Sequence, residues 1–155
     1  MFKLGYSGAG TLIYQVGGKD DVKVLLGRRI NNPGKGLWSI FGGGWENKDR
    51  NYKGEPDLKE TARREMCEET GFSLDYKNKK FLTKIWSINL PIFKFDVFAL
   101  RMVRRKLPKH YGEFSYVKWF DINEIPAENQ CNRFLHEEVN ELKKFLVKHG
   151  HLSAV

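Results

Sequence analysis

Cysteine is scarce in this sequence. Cys67 and Cys131 are its two thiols, and no C-x-x-C pair occurs, which excludes a disulfide framework and a cysteine-built zinc site. The reading that remains is two reduced thiols in a protein of the cytoplasm. Long apolar runs are missing as well. No window approaches the roughly eighteen apolar residues of a membrane span, and Met1–Gly10 has no apolar core of a secretory signal. Neither a membrane nor export is therefore expected. His110, His136, His149 and His151 show no ligand spacing. Repeats, low-complexity tracts and linker-like stretches are absent too, which leaves residues 1–155 as one domain.

What is present points to a folded globule. Hydrophobic residues make up 41% of the chain and aromatics 14%, enough to build a core. The formal charge of +8 favours anionic partners, nucleic acid and small polyphosphates alike. The densest basic run is only Arg104-Arg105-Lys106. The charge thus reads mostly as a solvated surface with a local phosphate role, and nucleic acid is not the expected partner.

Along the chain, Gly5–Val16 and Val22–Arg29 read as a strand hairpin, with a turn at Gly17-Gly18. Asn31–Gly36 is a loop by composition, and Trp38–Phe41 a short buried strand leading into a turn at Gly42-Gly43-Gly44. Asn47–Lys53 is polar apart from Tyr52 and reads as an exposed insertion. Lys80–Leu90 and Ile92–Val103 are strands broken at Pro91, and Ser115–Phe120 is another. A short helical turn is expected at Ile122–Ile125, closed by Pro126. In Arg133–Lys148 the apolar residues Phe134, Leu135, Val139, Leu142, Phe145 and Leu146 recur at helical spacing and mark a closing helix with a core face. Strands on both sides of a central helix, then this helix, predict an α/β chain: a three-layer α/β/α sandwich over a mixed sheet.

The central helix carries the chemistry. Residues 58–72 read L-K-E-T-A-R-R-E-M-C-E-E-T-G-F. At about 100° per residue, Glu65 and Glu69 fall within roughly 40° of each other, inside the stripe formed by Leu58, Ala62 and Met66. A surface helix keeps its charges on the far side. Like charges four residues apart also repel by about 0.2–0.5 kcal/mol. A hard divalent cation, Mg²⁺ or Mn²⁺, would offset that arrangement. Pro56 suits a helix start, and Asp57 with Glu60 has the pattern of a capping box. Read from the helix alone, Arg64 can pair with Glu60 one turn back.

With the glycines upstream, the stretch reads G-G-x-x-E, then G-E, then A-R-R-E-M-x-E-E-T-G-F. This resembles the Nudix box, G-x5-E-x7-R-E-U-x-E-E-x-G-U with U a bulky aliphatic residue. Arg64-Glu65-Met66, Glu68-Glu69, Gly71 and Phe72 match in order and spacing, Phe72 being aromatic where an aliphatic residue is usual. Gly43 to Glu55 spans eleven intervening residues where five are usual, and Glu55 to Arg64 spans eight where seven are usual. The surplus falls in Asn47–Lys53, so the box holds an insertion between Gly43 and Glu55.

The resemblance implies the same sandwich fold. It also implies Mg²⁺-dependent hydrolysis of a phosphoanhydride in a nucleoside diphosphate linked to another moiety. It makes Glu65 and Glu69 the principal metal ligands, Glu68 a further ligand or a contact to bound water, and a carbonyl near Gly43 a fourth. Arg64 would orient the glutamates, and Glu113 or Glu68 would serve as general base. Arg28 and Arg29, closing the second strand, would contact phosphate. Trp38, Trp45, Tyr6, Trp86, Phe93 and Phe95 could each stack a base or fill the core. The partner is a small nucleotide-derived molecule, with a homodimer left open. A binding module without turnover and an enzyme of nucleic-acid ends are the rival readings.

Overall fold

Strand β1 (Tyr6–Gly18) is the spine of the molecule. Its side chains alternate between faces, and both faces are covered, so eight consecutive residues are buried, Gly8 to Gln15. The computed structural model describes residues 5–154. Along one edge β1 pairs in parallel with β6 (Phe93–Met102), from Tyr6 opposite Phe93 to Gln15 opposite Met102. Its other edge is shared by two antiparallel partners. Residues 8–11 pair with β4 (Phe41–Gly44), and the stretch from Ile13 to Gly18 with β2 (Asp21–Arg29). β2 in turn carries β3 (Trp38–Ser39) and β7 (Phe114–Asp121), while β5 (Thr83–Leu90) closes the far side against β6. The sheet is therefore mixed.

Each face of the sheet has its own core. Helix α1 (Leu58–Thr70) sets Leu58, Ala62 and Met66 against Ala9, Ile13, Leu25 and Phe41. Helix α2 (Leu135–Lys148) sets Leu135, Val139, Leu142 and Leu146 against Leu12, Val24, Leu26 and Val97. The three-layer sandwich expected from the pattern is the fold observed. Trimming any of these α2 residues to alanine would cost about 2–4 kcal/mol, since each leaves a cavity in closed packing. One acid sits on this buried face: the Glu138 carboxyl, pushed up to about 8 by burial and by neighbouring Glu137.

Local expectations change in four places. Gly42–Gly44 is not a turn but most of β4, lying against Gly8–Gly10. A Cβ at Gly42 would lie 2.5 Å from the Ala9 carbonyl oxygen, so the glycines permit two backbones to meet. The first hairpin turns at Lys19-Asp20, with Asp20 at φ 64°, and β1 runs on through Gly17-Gly18. Lys80 and Phe81 belong to a 3-10 turn over Tyr76–Phe81 instead of β5. Residues 121–124 form a hydrogen-bonded turn closed by Glu124 N–H on the Asp121 carbonyl, and the short helical turn expected at Ile122–Ile125 lies further on, at Glu128–Gln130.

Helix α1 begins as predicted and ends as predicted. Asp57 caps it by accepting from the Lys59 amide at 3.0 Å, and Gly71 at φ 72° closes it with its amide on the Cys67 carbonyl. The reciprocal half of the capping box is not made, because Glu60 is held by Arg63 at 2.7 Å. Among the described residues, no helix is long and apolar enough to cross a membrane.

Candidate active site

Arg64 is the hub of the site. Although charged, it is only 6% exposed, held against Asp49 and the end of β4 at Gly44. Its Nε and Nη2 donate to the two oxygens of Asp49 at 2.8 and 2.9 Å, a bidentate pair. Nη2 also donates to the Gly44 carbonyl at 3.1 Å. Nη1 faces the acids: Glu65 Oε1 at 3.0 Å, Glu46 Oε2 at 3.0 Å and Glu68 Oε2 at 3.3 Å. The alternative pairing with Glu60 does not form. Arg64 instead contacts Glu65 and Glu68.

Asp49 was missed by the sequence reading, which treated Asn47–Lys53 as exposed and placed the box's first acid at Glu55. Asp49 has no exposed surface. Besides Arg64 it accepts from the Glu46 amide at 2.9 Å and the Thr61 hydroxyl at 3.0 Å. Burial alone would raise its carboxyl; Arg64 and these two donors outweigh that and hold it below the usual value. Glu55 is exposed and sits among Asn51 contacts, away from Arg64. The available signal was the count forward from Gly43: Asp49 follows after five residues, which keeps the box spacing with aspartate for glutamate. The insertion accordingly lies between Asp49 and Leu58.

Glu69 is buried beneath β4. Its Oε1 accepts the Gly42 amide at 2.7 Å, while its Oε2 is buried with no hydrogen-bond partner. Burial, then the charge of Glu65, push its carboxyl up to about 8 against the Gly42 amide; Glu113 raises it further and Arg29 opposes. The Glu65 carboxyl is also raised, by burial more than by Glu68 and Glu46, with Arg64 opposing. Gly43 lies against it: a Cβ there would stand 2.5 Å from the Glu65 carboxylate. Two carboxylates and a bare stretch of backbone thus meet at one place.

Residues from the far loops complete the edge. Glu113 is paired with Arg29, Oε2 to Nη2 at 3.6 Å. Arg29 is further fixed by donating from Nε to the Pro33 carbonyl at 2.9 Å. Strand alternation sends Arg28 to the opposite face, where its Nε donates to the Gly36 carbonyl at 3.2 Å. Arg29, not Arg28, joins the carboxylates. Of the aromatics, Trp38, Trp86 and Phe95 pack against the α2 core, and Trp45 against the α1 core. Tyr6 remains nearest the acids. Its hydroxyl is raised by burial and by Glu65, and its ring stacks on Phe93 at 5.5 Å.

A family model described as "NUDIX domain" matches residues 7–142. The chain belongs to that family. Membership makes it a Nudix hydrolase, whose general reaction is hydrolysis of pyrophosphate bonds in nucleotide-linked compounds. Solved structures repeat the fold. A MutT NUDIX hydrolase from Burkholderia pseudomallei is 16% identical with a TM-score of 0.67, over 90% of this chain and 99% of that one. The NUDIX domain of Shewanella oneidensis NrtR, solved with ADP ribose, is 18% identical with a TM-score of 0.65, over 94% and 90%. A longer MutT/nudix family protein from Enterococcus faecalis is 17% identical with a TM-score of 0.60; the match covers 78% of this chain but 45% of that one. Among curated proteins no significant match exists.

Among the described residues, no three acidic, histidine or cysteine side chains close around one point as they stand. The donors nevertheless fit a hard divalent cation. They are carboxylate oxygens, one of them buried without a partner, and Mg²⁺ is typically held by one or two carboxylates with water and substrate phosphate filling the rest.

Proposed function

We propose that this Nudix hydrolase cleaves a phosphoanhydride in a nucleoside diphosphate linked to another moiety, using Mg²⁺ or Mn²⁺, with residues 1–155 as one catalytic domain. The observation that carries the reading is Glu69. A structural carboxylate this deeply buried would be paired at both oxygens; here Oε2 has no partner and Glu65 adds a second charge beside it. Glu65 and Glu69 would hold the cation, with Glu68 and the Gly43 carbonyl at the edge. When bound, it supplies neutralisation of phosphate oxygens and a more acidic water.

The chain's own groups do the rest. Arg64 locks Glu65 and Glu68 in place, and Asp49 locks Arg64. The Gly42 amide holds one oxygen of Glu69, leaving the other to bind. Arg29 opposes phosphate charge at the mouth. Glu113, paired with Arg29 and close enough to raise Glu69, accepts a proton from the attacking water at a carboxylate oxygen. The test is turnover on a broad panel of nucleoside diphosphate derivatives with products identified. Cleavage between phosphates that needs added Mg²⁺, and stops on chelation while the melting curve persists, is the expected result. Nucleotide binding without turnover on any member would overturn the reading.

A further inference from the structure

The insertion is joined to the 3-10 turn that follows α1. The Tyr76 hydroxyl donates to the Arg50 carbonyl at 2.9 Å, and Lys79 Nζ lies 2.6 Å from Asp57 Oδ2. Arg50 braces its own loop by donating to the Asn47 and Gly54 carbonyls. Two segments distant in sequence therefore form one surface at the start of α1. Three rings stand out of it: Tyr52, 86% exposed, Phe81, 59%, and Tyr76, 40%. Residues 76–84 hold four lysines and no carboxylate. Beside Asp57 lies a depression of about 440 Å³ lined by Lys59, Lys84 and Lys94 with Leu58, Phe98 and Asp96, the last paired with Lys84 and Lys94 at 3.9 and 3.8 Å.

Exposed rings and clustered lysines serve neither core described above. We infer that this surface binds single-stranded polynucleotide, the rings stacking on bases while Lys77, Lys80 and Lys84 meet phosphates. A lysine stands over each ring, Lys79 at 3.8 Å from the Tyr76 centroid, Lys80 at 5.6 Å from Phe81 and Lys53 at 5.8 Å from Tyr52. A base stacked on any ring thus brings its own phosphate within reach of a cation. Unpaired bases are required, because a duplex hides the faces that stack. A lipid surface is the poorer occupant: the exposed large apolar residues here are all rings, with Asn51 and Asn78 among them and no aliphatic anchor. The insertion, in this arrangement, is the part of the chain that builds the surface.

The inference is independent of hydrolysis and is tested without metal. A labelled oligouridylate of about ten nucleotides is titrated by fluorescence anisotropy in chelator, from about 0.05 M salt upward. Saturable binding should weaken with salt at a log–log slope of about 2–3, as expected for three or four phosphate contacts. The double variant Tyr52→Ala/Phe81→Ala should bind about tenfold more weakly or worse, with its melting curve kept. Lys80→Glu/Lys84→Glu should weaken binding and flatten the salt slope. Absence of binding at low salt, binding indifferent to the two rings, equal affinity for a duplex, or preference for phosphatidylserine vesicles would each overturn it.

Discussion

Replacing Asp49 by alanine tests whether the box was read correctly. The substitution removes the fully buried partner of a buried arginine, and losing one side of such a pair costs about 3–5 kcal/mol. Arg64 keeps Glu65, Glu46 and Glu68, so the cost should fall near the lower end, about 3 kcal/mol. For a domain of this size that is a melting temperature lower by roughly 6–12 °C. Arg64→Ala should cost more, because Asp49 would keep only the Thr61 hydroxyl and the Glu46 amide in a site closed to water. The double variant should cost less than the two singles together by at least about 1 kcal/mol. Turnover should fall with Asp49→Ala, since Arg64 is then free to leave Glu65. The folded Asp49 carboxyl is depressed, so its contribution is present above the unfolded value of about 4 and is lost as pH falls through the folded one. Urea melts of the parent, the three variants and Glu55→Ala decide the matter. If Glu55→Ala costs as much as Asp49→Ala, or Asp49→Ala stays within about 0.5 kcal/mol of the parent, the reasoning is wrong.

Three further outcomes are expected. Gly43→Ala should fold normally, because the atoms its methyl meets are the end of the flexible Glu65 side chain, yet turnover should drop as that carboxylate is pushed aside; melts paired with rates check this. Glu69→Gln should reduce turnover at least about a hundredfold while leaving the metal-free protein at least as stable at pH 7. The raised Glu69 carboxyl lets the parent lose stability as pH climbs from about 4 to about 8, and the variant's pH–stability curve should be flatter over that window. Glu138→Gln should follow the same sign without touching turnover, gaining up to about 3 kcal/mol at pH 7 and nothing below about pH 4, measured by urea midpoints at the two values.

What could be read from the sequence was what local spacing encodes. The span from Asp57 to Gly71 declared its helix through a cap, an apolar stripe and a left-handed glycine, and the same spacing put Glu65 and Glu69 together. The role of Asp49 depends on a backbone that folds back beneath α1, and nothing in a polar run such as Asn47–Lys53 signals burial. Arg28 and Arg29 were indistinguishable until the faces of β2 were known, because alternation separates neighbours without saying which one faces the acids. The glycines of β4 read as a turn, since their reason for being small is a strand across from them, not their own conformation.

The parallel pairing of β1 with β6 governs how the chain can assemble. Tyr6 meets Phe93, and the ladder is complete only at Met102, so about two thirds of the polypeptide must exist before the spine gains its second edge. The hairpin of β1 and β2 joins neighbours in sequence and can form early. Until the late strand arrives, that edge of β1 has no partner, and closing so long a loop makes its pairing slow. A nascent or truncated chain ending before β6 would therefore present a bare, sticky strand edge, the kind that other chains pair with. The feature that makes the mature sheet continuous is also the one that leaves the unfinished protein most in need of protection.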